Sequence, residues 1–145
     1  MPVISQLVLM KQAADLHSAT LNQIAVASVA EQHFDSHIDT IRSAYRARRD
    51  AMLEALQAHM PEGVSWTKPE GGMFIWVTLP DTLDGADLLK QSLESERVAF
   101  VPGQAFFADG SGRNTLRLSY STSTEGKIAE GIERLGQLIT RVLNG

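Results

Sequence analysis

The 145-residue chain contains no cysteine, which excludes disulfide cross-links, thiolate metal sites and a thiol nucleophile. Lysine is scarce. Lys11, Lys68, Lys90 and Lys127 are the full complement, so chemistry that needs an amine has four positions to choose from. Long apolar runs are missing too: the longest, Met73 to Leu79, falls far short of the roughly 20 residues that cross a bilayer. The N-terminus has no charged segment followed by an unbroken apolar stretch, so no signal peptide is evident. There is no positive excess to attract nucleic acid, because the net charge is −4. Arg46, Arg48 and Arg49 form a local cluster, but Glu31, Asp35, Asp39 and Asp50 lie nearby, and a solvated helix face accounts for it. A soluble, cytoplasmic protein with no nucleic-acid or membrane partner is the expectation.

What remains is enough for one core, at 43% hydrophobic residues. Pro2 suits the first turn of a helix, and Val3, Leu7, Met10 and Ala14 follow at helical spacing. Thr20 and Gln23 form a capping-box pattern for a second helix, rich in small residues at Ala25, Ala27, Ser28 and Ala30. Such a surface serves close packing within a subunit or contact with a second copy. Phe34-Asp35-Ser36 reads as a junction, with a third helix from about Ser36 to Met60 ended by Pro61-Glu62-Gly63. The texture then changes. Val64 to Thr67 alternates like an edge strand, and Met73 to Leu79 is continuous enough for a strand covered on both faces. Asp84 is placed to cap a short helix through Leu88, Leu89 and Leu93. A strand at Val98 to Val101, a loop and a strand at Asn114 to Ser121 follow. The last helix has one clean stripe at Ile128, Ile132, Leu135, Ile139 and Val142. The expected fold is α+β: a small antiparallel or mixed sheet with helices packed on it, preceded by long N-terminal helices. Residues 1–60 would form the helical segment and residues 61–145 a small C-terminal domain.

The most informative residue is Arg117. Leu116, Leu118 and Tyr120 alternate with Thr115, Arg117 and Ser119, the period of a half-buried strand. A permanently charged guanidinium in that setting calls for a structural ion pair or for a ligand with a carboxylate or phosphate, gripped by its planar fork. Other patterns carry less. His33 and His37 share a helix face but have no third ligand, and Gly110-Ser111-Gly112 leads into a strand where a phosphate cradle needs a helix.

Several segments share one resemblance. Pro102-Gly103-Gln104-Ala105-Phe106-Phe107, the polar hairpin Asp109 to Asn114 and Arg117 follow one another as in fold-type I, pyridoxal-phosphate-dependent aminotransferases. Gly71-Gly72-Met73-Phe74 before a strand and Leu16-His17-Ser18 with Asn22-Gln23 match as well. The chain resembles the C-terminal domain of that family, in its aminoadipate, kynurenine and aromatic aminotransferase branch. The resemblance implies that Arg117 binds the substrate α-carboxylate and that Met73, Phe74 and Phe106 line the substrate pocket. It implies that Ser18 approaches the cofactor of a partner subunit in a homodimer.

The same resemblance defines what is missing. The family's Schiff-base amine is a lysine in a Ser-x-x-Lys setting, and none of the four lysines has it. No catalytic residue and no metal ligand is assigned. The chain is therefore expected to be the last third of such an enzyme, inactive alone and binding no pyridoxal 5′-phosphate without the large domain. Two other parents remain: the effector-binding tail of an aminotransferase-like transcription regulator, and a non-catalytic binding module.

Overall fold

The computed structural model describes residues 3–145; Pro2 lies outside the described residues. The chain divides into two units, Met1–Ile41 and Arg42–Gly145. In the first, α1 (Val3–Ala14) is followed by a turn at residues 15–19 and by α2 (Thr20–His59), which runs on into the second unit. No residue of α1 is buried.

Helix α2 corrects the expected junction at Phe34-Asp35-Ser36. It is one helix of 40 residues with no glycine or proline inside it. The polar residues do not break it because the helix satisfies their hydroxyls: Ser36 Oγ donates to the His33 carbonyl (3.2 Å) and Thr40 Oγ1 to the Ser36 carbonyl (3.1 Å). The capping box also differs in detail. The Gln23 side chain reaches back as that motif requires, but its Nε2 donates to the Ser18 carbonyl (2.6 Å).

The second unit is built on a four-stranded antiparallel sheet in the order β1-β2-β4-β3, with β1 Ser65–Trp66, β2 Phe74–Thr78, β3 Val101–Pro102 and β4 Thr115–Ser119. One face packs on α4 (Glu125–Asn144) and on the C-terminal turns of α2. Leu56, Ile75, Val77, Leu116, Leu118, Tyr120, Leu135 and Ile139 are almost fully buried together. The α4 stripe lies where its spacing places it, with Gly136 close against the His59 carbonyl, 2.3 Å from where a Cβ would stand.

Two strand expectations need correction. Strand β2 is covered on one face only: Ile75 and Val77 are buried while Phe74 is exposed and Trp76 half-buried. The strand expected at Val98 to Val101 shrinks to Val101–Pro102. Val98 is instead tied to the turn before it, through its N–H to the Ser92 carbonyl (3.2 Å) and its carbonyl to Ser92 Oγ (2.7 Å). That turn, Ser92–Glu96, is a wide π-type continuation of α3 (Gly85–Gln91). The extra width carries Leu93 off the apolar stripe and leaves it half-exposed.

The sheet's far end is clamped by polar contacts. Asp84 Oδ1 caps α3 by accepting from the backbone N–H groups of Ala86 (2.8 Å) and Asp87 (3.3 Å), as its position predicts. Its Oδ2 accepts from Arg113 Nε (2.9 Å), while Asn114 Nδ2 donates to the Leu79 carbonyl (2.8 Å) and to Asp81 Oδ1 (2.9 Å). The Asn114 contacts join the end of β2 to the start of β4, next to the register that places Arg117 opposite Trp76, and the Arg113 contact ties the start of α3 to the same point.

Candidate functional site

The uncovered face of the sheet is where the sequence candidates converge. Antiparallel partners project to the same side, so Arg117 stands beside Trp76 on β2 and Val101 on β3, with Phe74 its diagonal neighbour. The Arg117 guanidinium carbon lies 4.0 Å from the centre of the Phe74 ring and 4.6 Å from that of Phe106, within cation–π range of both. Phe106 comes from the 3₁₀ turn Gly103–Phe106 that follows β3.

Arg117 has no carboxylate partner among the described residues. Its Nε is sealed from solvent with no hydrogen-bond acceptor, whereas its two terminal nitrogens, also unbonded, reach the surface. A buried unsatisfied donor costs on the order of 1–3 kcal/mol. The structural ion pair that an isolated strand arginine invites is thus not made. An aromatic cradle around an unneutralised fork has the charge and planar shape that complement a carboxylate.

Glycine makes the cradle possible. At Gly103 a Cβ would stand 1.8 Å from Thr115 Oγ1 and 2.9 Å from Trp76 Cζ2, so the turn backbone lies directly on those side chains. At Gly112, with φ +73°, a Cβ would meet the Phe107 ring at 2.4 Å. Trp76 packs edge-on against Phe106 at 5.6 Å and tilted against Phe107 at 6.0 Å. Trp76 and Phe107 were not singled out from the sequence. The available signal was alternation: Trp76 is two residues from Phe74 and so shares its face.

The remaining candidates sit apart. Met73 precedes β2, and its carbonyl accepts from the Tyr120 N–H (3.1 Å) while its side chain is exposed. It makes no polar contact with Arg117. Ser18 lies in the first unit, in the turn before α2, where its carbonyl accepts from Gln23.

Lys11 and Lys90 are paired with Asp15 and Asp87, each at 2.8 Å, and neither Lys68 nor Lys127 bonds to any residue around Arg117. The helix starts of the second unit are filled by the chain's own side chains, Asp84 at α3 and Thr124 at α4. The Arg113 guanidinium, with the Ala86 N–H, holds the Asp84 carboxyl below the ordinary range, so that cap is an anion itself. The residues around Arg117 offer a planar cationic fork, and the starts of α3 and α4 are already occupied by the chain's own side-chain oxygens.

The family model of class I and II aminotransferases matches residues 2–135. A 2-aminoadipate transaminase of Thermus thermophilus is 46% identical over 97% of this chain, which covers 35% of that relative. A crystal structure of α-aminoadipate aminotransferase from the same species, complexed with N-(5′-phosphopyridoxyl)-L-leucine, superposes with a TM-score of 0.87 at 45% identity, over 97% of this chain and 36% of the other. An uncharacterised helix-turn-helix-type transcriptional regulator of Bacillus subtilis is 31% identical over 98% of this chain, covering 29% of its own length. The chain thus spans about a third of the length of the relatives it matches. On the match from residue 2 to residue 135, this chain belongs to the family of class I and II aminotransferases.

Proposed function

We propose that this chain forms the substrate-carboxylate site of a pyridoxal-phosphate-dependent aminotransferase that moves an amino group between an α-amino acid and a 2-oxo acid. One observation carries the reading: the Arg117 fork stands over Phe74 and Phe106 with no acid of its own to neutralise it. When bound, the cofactor supplies the amine-transfer chemistry, and residues beyond this chain would hold it. Arg117 binds and orients the carboxylate shared by both substrates. Phe74 and Phe106 exclude water from one side of that contact, which strengthens it by lowering the local dielectric. The substrate side chain would run along Phe74 and the exposed Met73. Ser18 would serve the active site of a second copy in a homodimer.

The test is a titration of the chain with 2-oxoglutarate, followed by the ¹⁵N resonances of the arginine side chains. The Arg117 signals are expected to move saturably, and Arg117→Ala to abolish binding. Arg117→Lys keeps the charge but loses the fork, and is expected to weaken affinity about 10- to 100-fold, the worth of a bidentate charged contact. Undiminished binding in Arg117→Ala would overturn the assignment.

The regulator relative leaves a second parent. A complete gene encoding a DNA-binding head would decide for it, and the carboxylate site would then sense an effector with the same residues.

A further inference from the structure

One residue of the cradle packs its ring on the other rings, while Phe74 and Phe106 stack on the guanidinium. Trp76 is the direct cross-strand neighbour of Arg117, yet its recorded ring contacts are with Phe106 and Phe107. Phe106 itself is about half exposed, at the end of a four-residue turn. The backbone of that turn rests on Trp76 and Thr115 at Gly103. Trp76 therefore supports the turn at both ends, under its first residue and against its last.

We propose that Trp76 is a positioning residue that acts through Phe106 to hold the Arg117 guanidinium in one orientation, with Nε sealed and the two terminal nitrogens presented to the ligand. This rests on the reading of Arg117 as a carboxylate site. The physical reason is the shape of the guanidinium. Its fork has two edges that can grip a carboxylate, Nε with one terminal nitrogen or the two terminal nitrogens together. With Nε buried and unbonded, only the terminal edge is open. Three rings in sequence, Trp76 on Phe106 and Phe106 on the cation, with Phe74 also against it, hold the plane of the fork. A preorganised fork loses less side-chain entropy on binding than a free one, because a mobile arginine would otherwise give up its rotamers at that moment.

The experiment needs no cofactor and no ligand. The Arg117 Nε–Hε group, assigned by its loss in Arg117→Lys, is expected to show a resonance displaced by the rings and slow exchange with water. Trp76→Leu is expected to bring that resonance back toward the free-arginine position and to speed its exchange about tenfold or more, with the backbone amide spectrum of β2 and β4 retained. Trp76→Phe keeps a ring against Phe106 and should stay close to the wild type. Should Trp76→Leu fail to fold, Phe107→Leu removes a partly exposed ring packed on Trp76 and Gly112, and a smaller acceleration is expected. Exchange as slow as wild type in a folded Trp76→Leu or Phe107→Leu overturns the proposal, as does a wild-type Hε that is already fast and undisplaced. Failure of the wild-type chain to respond to 2-oxoglutarate would instead reject the carboxylate reading and leave the positioning result standing.

Discussion

The two units spend similar sequence material in opposite ways. Of eighteen exposed large apolar residues among those described, twelve lie between Val3 and Phe34, in the first unit. The second unit exposes only six, and five of these (Met73, Phe74, Val101, Phe106 and Phe107) belong to the strands and turn around Arg117. Helix α4 buries a single stripe, whereas α1 buries nothing although it is largely apolar. Apolar content alone does not make a core; it needs a phase that matches a partner surface. The comparison also separates two kinds of exposure. In the first unit apolar groups are spread over helices, as on a surface that associates with other protein. In the second they are gathered around one unpaired cation, as in a ligand pocket.

The contrast is sharpest in stability. Ile139→Ala, at a fully buried position, is expected to cost about 2–5 kcal/mol in urea unfolding, while Leu7→Ala on α1 should stay within about 0.5 kcal/mol. Equal losses would break the distinction between the units. Gly103→Ala should be next, at about 1–3 kcal/mol, because the new methyl must displace Thr115 or Trp76. That cost should come with weaker 2-oxoglutarate binding, since the displaced turn carries Phe106.

A further, smaller loss in the second unit concerns Asp84, whose replacement by Asn should cost about 0.5–2 kcal/mol as a lost charged cap and Arg113 link. Its sign with pH is fixed by the direction of its shift. Arg113 lowers the folded-state pKa below the ordinary 3.8, so the contribution is complete above that value and fades as pH falls through the lower one. Unfolding free energies of wild type and Asp84→Asn should therefore differ at pH 6 and converge in strong acid. A difference that grew on acidification would contradict the Asp84–Arg113 assignment.

Much of the second unit was legible residue by residue. The steps of four and three through Ile128, Ile132, Leu135 and Ile139 located α4, Asp84 announced a helix start, and the alternation about Arg117 placed it on the open side of a strand. Legibility failed where local chemistry had more than one outlet. Phe34-Asp35-Ser36 looked like a junction between helices, but the Ser36 and Thr40 hydroxyls bond within α2. Val98 to Val101 looked like a strand, but Ser92 takes both backbone groups of Val98. The strand at β2 looked doubly buried because Phe74 and Trp76 are as apolar as Ile75 and Val77. Apolar character does not say whether a ring meets a core or a cation.

By itself the sequence determined the element types of the second unit, the isolation of Arg117 among apolar neighbours and the lack of a lysine in the family's setting. These follow from periodicity and composition, which are local. The tertiary structure decided which rings surround Arg117, that no carboxylate among the described residues neutralises it and that its Nε is sealed. Those facts depend on the register of β2 against β4 and on a turn that rests on Trp76 through Gly103. Residues 74, 76, 106 and 117 are brought together only by strand pairing and that turn, and no local pattern encodes such a meeting.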